Sequence, residues 1–345
     1  MRILVDAMSG DNAPLEMIKG AALAAREYTD HTIVLVGDEN IISDVAVKND
    51  IDLLGIEIVN AASVISMEDN PLSAVREKRD SSMSVGLKTL AQGKVDAFVS
   101  AGNTGALVTG ATIIVKRIPG INRPAIASVI PLTNPVLLMD SGANLTVTGD
   151  NICQFAFMGA KYMEKIYGID RPRIGLLNNG TEYNKGNSLQ IESYQLLADS
   201  GLNFVGNVEG KETVFDACDV LVTDGFTGNI FLKTIEGMGK FLMNTLKEVF
   251  YTNLVTQISA LTMKEKVKEM KHRFDASEHG GAPLLGISRP VIKAHGSSDS
   301  VAIMNAVRQA IHFVKTGIND DIHIFAADYD EKKLLRDAER LYTEE

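Results

Sequence analysis

The fold of this chain is decided by the stretch 97–106, Ala-Phe-Val-Ser-Ala-Gly-Asn-Thr-Gly-Ala. Its first four residues are a short apolar run that predicts a buried strand, and a helix is expected to begin in the glycine-containing loop that follows. Other apolar runs of strand length occur along the chain, and they alternate with segments of helical spacing. This alternation predicts an α/β fold with a mainly parallel sheet covered by helices on both faces.

The same signals predict further elements on either side of this stretch. The other predicted strands are residues 3–5, 32–36, 56–59, 126–131, 136–139, 173–177, 220–223 and 291–294. The predicted helices are residues 15–28, 81–92 and 300–315. With 345 residues, of which 45% are hydrophobic, the chain can bury a large core. We expect one α/β unit over residues 1–345, built as a single body or as two lobes around a cleft.

Five of the predicted strands end in polar loops that contain glycine. These loops are residues 6–11 (DAMSGD), 100–105 (SAGNTG), 140–144 (DSGAN), 178–180 (NNG) and 224–229 (DGFTGN). Because ligands of open α/β sheets bind beyond the carboxyl ends of the strands, we expect the five loops to converge on one cleft.

Charge, cysteine content and missing motifs exclude several classes of function. A formal net charge of −10 argues against nucleic acid as a partner. Cys153 and Cys218 are too few for a disulfide framework, and their apolar neighbours predict burial rather than a nucleophilic role. No GxGxxG follows the first strand, and GxxxxGK[ST], HExxH, CxxC and GxSxG are absent, so we expect no dinucleotide, no metal and no serine hydrolase. No signal peptide or membrane-spanning stretch is visible, and a cytoplasmic location is expected.

The segment 291–299, VIKAHGSSD, has the densest set of hydrogen-bond donors. If residues 291–294 form a strand, Lys293 and His295 lie on the same face, because side chains alternate along a strand. Gly296 and Ser297 would then precede the predicted helix. A lysine, a histidine and a helix N-terminus together suit phosphate or an oxyanion, whereas the alternative is a structural histidine beside a solvated lysine.

Three other loops suit an anion less specifically. Glycines such as Gly102 allow close backbone approach, and Ser100, Asn103 and Thr104 offer donors beside it. Lys185 precedes a glycine in the loop 176–187. The residues of 224–229 that suit a ligand are Asp224, Thr227 and Asn229. Ordinary turns and a solvated lysine remain the alternatives for these loops.

Residues 238–275 differ from the rest of the chain, because apolar side chains recur there at helical spacing and glycine is nearly absent. The pattern predicts a helical arm of two amphipathic helices with a break near Thr252 and Asn253. The basic residues of its second half are Lys264, Lys266, Lys268, Lys271 and Arg273. Such a helix could dock an acidic protein, lie on an anionic membrane or pack against a dimer partner.

At these loops the sequence resembles the PlsX-type phosphate acyltransferases. The blocks that carry the resemblance occur in family order along nearly the whole chain. They are DAMSGDNAP (6–14), VSAGNTGAL (99–107), RPAIAS (123–128), DSGAN (140–144), QFAFMG (154–159), GLLNNGTEYNKGN (175–187), VTDGFTGNIFLKTIEG (222–237), GGAPLLG (280–286) and VIKAHGSSD (291–299).

The resemblance implies a three-layer α/β/α sandwich, Rossmann-like, of the isocitrate-dehydrogenase-like and phosphate-acetyltransferase-like group. It implies transfer of a fatty acyl group from an acyl carrier protein thioester to inorganic phosphate, giving acyl phosphate for phospholipid synthesis without a metal or organic cofactor. The implied partners are a second copy of the chain as a homodimer, a downstream glycerol-3-phosphate acyltransferase, and the inner face of the membrane in peripheral contact.

Residue roles follow from the resemblance together with the loops. The expected catalytic residues are Lys185, Lys293 and His295. The residues expected to bind phosphate or substrate are Asp6, Ser100, Gly102, Asn103, Thr104, Asn144, Asn178, Asp224, Thr227, Asn229, Gly296 and Ser297. The basic residues of the arm are expected to contact the carrier or the membrane. We expect direct transfer without an acyl-enzyme.

The chain departs from the family pattern at Ser9, Ser141, Thr181 and Arg289, which we expect to lie beside site loops. Two alternatives come from the same fold group, namely a short-chain phosphate acyltransferase using coenzyme A and a metal-dependent dehydrogenase. A third alternative is a non-catalytic, membrane-associated scaffold of lipid synthesis.

Overall fold

A computed structural model describes residues 1–253, 256–257, 259–260, 262–263, 265–267 and 280–329. Its strands are β1 (Arg2–Asp6), β2 (Thr32–Gly37), β3 (Glu57–Asn60), β4 (Ala97–Ser100), β5 (Ala125–Ile126), β6 (Ser128–Ile130), β7 (Val136–Met139), β8 (Ile174–Asn178), β9 (Phe204–Glu209), β10 (Val220–Val222), β11 (Ala282–Leu285) and β12 (Val291–Lys293). They form a seven-stranded first sheet, in the order β3-β2-β1-β4-β12-β11-β5, and a five-stranded second sheet, in the order β6-β7-β10-β8-β9.

Helices flank both sheets. They are α1 (Leu15–Glu27), α2 (Glu39–Lys48), α3 (Pro71–Glu77), α4 (Ser82–Ala91), α5 (Thr104–Gly110), α6 (Gly149–Tyr167), α7 (Ser188–Ala198), α8 (Gly210–Thr213), α9 (Gly225–Phe250), α10 (Ser300–Thr316) and α11 (318–329), with a π-helical turn at Ala111–Val115. The predicted helices 15–28, 81–92 and 300–315 are confirmed as α1, α4 and α10.

The sheets are mainly parallel, as predicted. In the first sheet, β1 pairs in parallel with β2 and β4, and β12 pairs in parallel with β4. In the second sheet, β10 pairs in parallel with β7 and β8. These strands are almost wholly buried, with exposures of 0–1% along residues 3–5 and 97–99. Apolar runs without alternation are expected when helices cover both faces of a parallel sheet. The three-layer α/β fold is confirmed.

One predicted strand is divided between the two sheets. We predicted a single strand over 126–131, but β5 ends at Ile126 in the first sheet and β6 begins at Ser128 in the second. Ala127 lies between them, and its N–H donates to the Pro283 carbonyl. The single strand was therefore wrong. Its continuous apolar sequence passes from one buried sheet to the next, and hydrophobicity does not record which sheet a residue joins.

The predicted helical arm begins earlier than expected. The loop 224–229 is the N-terminus of α9, where the Asp224 carboxylate accepts from the Thr227 N–H over 2.8 Å. The helix continues for 26 residues to Phe250, and the break predicted near Thr252 is confirmed by a turn and bends at 251–253. Of the basic arm residues, Lys266 is helical and exposed. Lys264, Lys268, Lys271 and Arg273 lie outside the described residues.

Both cysteines are buried, as predicted. Burial raises the pKa of the Cys218 thiol to about 12, which removes it as a nucleophile near neutral pH. Among the helices in the described part of the chain, none is both long and apolar enough to cross a bilayer.

Candidate active site

Three loops of the first sheet meet beyond the carboxyl ends of β1, β4 and β12. The Ser100 hydroxyl donates to the Asp6 carboxylate over 2.9 Å, which joins the β4 loop to the β1 loop. The Asp11 N–H donates to the Gly296 carbonyl over 2.8 Å, and the Asn12 amide donates to the Ser297 carbonyl over 3.1 Å. These contacts bring the predicted loops 6–11, 100–105 and 291–299 to one place.

Two loops of the second sheet meet in the same way. The Asp140 carboxylate accepts from five N–H groups of Ile126, Gly142, Ala143 and Asn144. The loop after β7 packs on the start of α9, where a Cβ on Gly228 would lie 2.0 Å from the Asp140 carbonyl oxygen. Only glycine allows this approach.

A contact from α9 joins the two sets of loops. Lys233 Nζ lies 3.0 Å from His295 Nε2 and 2.8 Å from the Glu236 carboxylate. Lys233 and Glu236 follow β10 of the second sheet, whereas His295 follows β12 of the first. The structure thus links α9, which follows the second sheet, with the loop after β12 of the first, while convergence of all five loops on one cleft stays a prediction.

Lys233 and Glu236 were missed by the sequence analysis, although they lie in the quoted block 222–237. We read the residues after Asp224 as a loop and began the helical arm at 238, so the positions of these side chains on a helix were not considered. The signal was present, because an aspartate before a helical segment is a favoured N-cap.

Lys293 ends β12 with its ammonium group largely surrounded by protein, although solvent still reaches the side chain. Burial, and secondarily the nearby charge of Lys233, lowers the pKa of Lys293 to about 8, while Asp11 and Asp6 oppose the shift. The ammonium group donates to the adjacent Ala294 carbonyl. Lys293 is thus charged at neutral pH but able to lose its proton readily.

His295 is held as a neutral imidazole. Partial burial, and secondarily Lys233, lowers its pKa. A charged lysine has donors and no acceptor, so Lys233 requires Nε2 to be the accepting nitrogen. The other ring nitrogen, Nδ1, lies 3.0 Å from the Ser297 hydroxyl and 3.3 Å from the Ser297 backbone N–H, which donates to it. The imidazole therefore orients Lys233 and Ser297 rather than carrying positive charge itself.

Asp6 is completely buried beneath this site. Burial raises the pKa of the Asp6 carboxyl, and its hydrogen bonds to Ser100 and the Met8 N–H favour the ionised form. The hydroxyl of Ser9 is buried beside the same carboxyl and also favours its ionised form. A Cβ on Gly102 would lie 2.9 Å from the Ser9 Cβ. Asp6 therefore anchors the loop that follows β4.

Most of the predicted polar binding residues hold the loops together. Asn103 caps α5 through the Ala106 N–H and donates to the Met67 carbonyl. The remaining side-chain bonds run from Asn144 to Asp140, from Thr227 to Asp224 and from Asn229 to the Ser141 carbonyl. Thr104 begins α5. Their binding roles stay predictions, and the loop scaffold is what the structure adds.

Lys185 is exposed in the loop between β8 and α7. Its ammonium group lies 3.8 Å from the Glu182 carboxylate, and its carbonyl accepts from the Asn178 amide over 3.1 Å. Within the described ranges, no hydrogen bond or ion pair connects Lys185 with Lys293 or His295. A cavity of about 700 Å³ separates part of this loop from α9, with Asn178 and Gly186 on one side and Ile230 on the other.

Arg289 does not lie beside the site loops, contrary to expectation. It precedes β12, so the length of that strand separates it from His295 at the opposite edge of the sheet. There it lines a second cavity of about 510 Å³ together with Asp96 and Asp320. As to metals, the part of the chain that the structure describes contains no cluster of three His, Cys, Asp or Glu side chains that could ligate one.

Comparison with known proteins finds relatives along most of the chain. A family model described as "Fatty acid synthesis protein" matches residues 1–321. A protein of Thermoanaerobacter pseudethanolicus named "Phosphate acyltransferase" is 44% identical over 323 residues, covering 93% of this chain and 96% of the relative. One of Anoxybacillus flavithermus with the same name is 46% identical over 324 residues, covering 93% and 96%.

Among solved structures, the EutD phosphotransacetylase from Staphylococcus aureus superposes with a TM-score of 0.59 at 17% identity. The match covers 90% of this chain and 94% of that one. At this identity the similarity concerns the fold alone, and it confirms the expected phosphate-acetyltransferase-like architecture.

Proposed function

Because this chain belongs to the fatty acid synthesis protein family and is an acyltransferase, we propose that it moves a fatty acyl group from an acyl carrier protein thioester to inorganic phosphate. The product is acyl phosphate for phospholipid synthesis. The observation that carries the proposal is the contact of Lys233 with His295 beside Lys293, which puts two ammonium groups next to one neutral imidazole. Such a group of donors suits phosphate and a developing oxyanion.

The reaction requires phosphate to be positioned against the thioester more than it requires a general base. Phosphate is largely a dianion at neutral pH, with a second pKa near 6 by analogy with phosphoesters, and it attacks as it stands. A phosphate oxygen forms a bond to the thioester carbonyl carbon, giving a tetrahedral oxyanion. The carbon–sulfur bond then breaks and the electron pair leaves on sulfur. Lys233 and Lys293 hold phosphate and the oxyanion in place.

Lys293 is suited to return a proton to the leaving thiolate. A general acid works best when its pKa lies near the operating pH, and the pKa of Lys293 is about 8. A thiol has a pKa of about 8.5, so the proton moves between groups of similar affinity. His295 keeps Lys233 and Ser297 oriented during this step through its two ring nitrogens.

Charge and exposed apolar surface support the proposed partners. The net charge of −10 disfavours an acidic carrier protein unless basic residues face it, and Lys185 and Lys266 are both exposed. The exposed apolar residues along α9 include Met238, Phe241 and Leu242, and this surface supports a homodimer through α9. Peripheral contact with the inner face of the membrane and supply of acyl phosphate to a glycerol-3-phosphate acyltransferase complete the proposal.

The test is turnover with purified components. Palmitoyl carrier protein is incubated with phosphate while free thiol and hydroxylamine-trapped acyl phosphate are measured. Release of both in equal amounts, dependent on phosphate, supports the proposal. Turnover with short-chain coenzyme A thioesters alone would favour the short-chain alternative. A folded protein that turns over no thioester would favour the scaffold.

A further inference from the structure

The cavity between α9 and the β8–α7 loop is lined on one side by apolar groups. We call it the α9 groove, formed by Leu177 at its base, Phe226, Ile230 and Phe231 on α9, and Asn178 and Asn187 on the opposite loop. Its volume of about 700 Å³ lies within the range of small-molecule binding sites.

The apolar wall of the groove is exposed to solvent. Phe226 and Ile230 are 59% and 52% exposed, although both are large apolar side chains. Phe231 behind them is partly buried, because it packs against the buried cluster that contains Val208 and Leu221. Neighbouring exposed apolar side chains over a partly buried one are typical of a binding surface.

The groove adjoins the candidate site along the surface of α9. Ile230 and Lys233 are three residues apart on α9 and are therefore neighbours on its surface. Lys233 Nζ lies 3.0 Å from His295 Nε2. If the carbonyl group of a thioester lies at these cations, its alkyl chain can reach the apolar wall of the groove. Burial against this wall is more favourable for the alkyl chain than exposure to water.

Resting on the proposed function, we infer that the α9 groove holds the alkyl chain of the acyl donor while its carbonyl carbon lies at Lys233, His295 and Lys293. The chain lies along Ile230 and Phe226 above Leu177. The groove therefore makes the enzyme select for long acyl chains. The short-chain alternative does not require this surface.

Chain-length dependence gives a quantitative expectation. Burial of one methylene group is worth about fourfold in binding. The kcat/KM should therefore rise from butyryl through octanoyl to longer donors, by up to about fourfold per methylene, until the groove is filled. In Ile230→Trp the indole fills part of the groove, so the ratio of palmitoyl to butyryl kcat/KM should fall by about tenfold or more.

The matched control is Leu54→Trp, which adds the same side chain at a position 86% exposed before β3, away from the groove. It should leave the palmitoyl-to-butyryl ratio unchanged. An equal loss on both donors in Ile230→Trp would overturn the proposal, and so would dissociation of a dimer in that variant, because the occupant would then be a second copy of the chain.

A second measurement uses the unaltered protein and does not depend on a variant folding. A palmitoyl carrier protein analogue with a diazirine at the end of the chain is photolysed on the enzyme, and labelled peptides are mapped by mass spectrometry. Label within residues 177–190 or 226–234 supports the proposal, and label only elsewhere overturns it. Equal turnover of donors of all chain lengths would contradict the binding of the alkyl chain in the α9 groove but not the proposed function. Absence of turnover with every donor would contradict both.

Discussion

Lys233 donates to Nε2 of His295 over 3.0 Å, although the two residues follow strands of different sheets. The contact joins residues from both halves of the chain in the candidate site. Neither the β12 loop nor the start of α9 supplies the pair of ammonium groups alone. Loss of either residue should therefore disturb the geometry of the other.

Replacement of Lys293 should greatly reduce catalysis. Lys293→Met removes the ammonium group to which we assign stabilisation of the oxyanion and protonation of the thiolate, so kcat should fall by about 100- to 1,000-fold. Steady-state turnover with palmitoyl carrier protein measures the effect, and circular dichroism checks folding. The control Lys48→Met, on the exposed surface of α2, should keep full activity. Normal turnover in Lys293→Met would remove this residue from the mechanism.

The same substitution should stabilise the fold at neutral pH. The pKa of Lys293 is about 8 when folded, against an ordinary value of about 10.4, so the unfolded chain binds more protons between these values. Below pH 8 the folded state is destabilised by the full free-energy cost of keeping Lys293 charged in a partly buried place. This cost disappears as the pH rises towards 10.4. We expect Lys293→Met to gain about 1–2 kcal/mol at pH 7, a discounted figure because solvent reaches this side chain. Urea unfolding at pH 7 and near pH 10 tests this, and a gain that does not shrink with pH would contradict it.

The charge of Lys233 should influence the pH above which activity falls, because it lowers the pKa of Lys293. The charged groups facing Lys293 are Lys233, Asp11 and Asp6. Lys233→Gln keeps a donor for His295 but removes a positive charge, so the pKa of Lys293 should rise. Because protonated Lys293 is the active form in the proposed mechanism, the fall of kcat/KM above pH 8 should move to higher pH. Glu236→Gln retains the cation and should not produce this upward shift. A fall of kcat/KM that does not move in Lys233→Gln would show that it belongs to another group.

Asp140 should be essential for stability rather than for chemistry. Its two oxygens accept five N–H groups, so Asp140→Asn turns one acceptor into a donor that faces other donors. We expect a loss of about 2–4 kcal/mol in the free energy of unfolding. The control Asp44→Asn, at an exposed position of α2, should change stability by less than about 0.5 kcal/mol. Equal effects of the two substitutions would refute the anchoring role.

The strands of the parallel sheets could be predicted because burial on both faces leaves an uninterrupted apolar run, as in β1, β4 and β7. The same property concealed the change of sheet at Ala127. Polar residues were the harder case. Asn103 and Asp224 were expected to bind a ligand, and the structure shows them capping helices. A polar residue in a loop before a helix is equally typical of an N-cap and of a ligand-binding loop, so sequence alone does not distinguish the two roles.

The length of α9 has a mechanical consequence. At about 1.5 Å per residue, this 26-residue helix extends for about 39 Å. The backbone of Gly228 packs closely against Asp140 near the N-terminal end of the helix, so a tilt of the helix would pivot about this point. Lys233 is about 7.5 Å beyond it and Phe250 about 33 Å, so a rigid tilt moves Lys233 by about a quarter of the displacement at Phe250. A displacement at the far end of α9 would therefore reach the contact between Lys233 and His295 in reduced form.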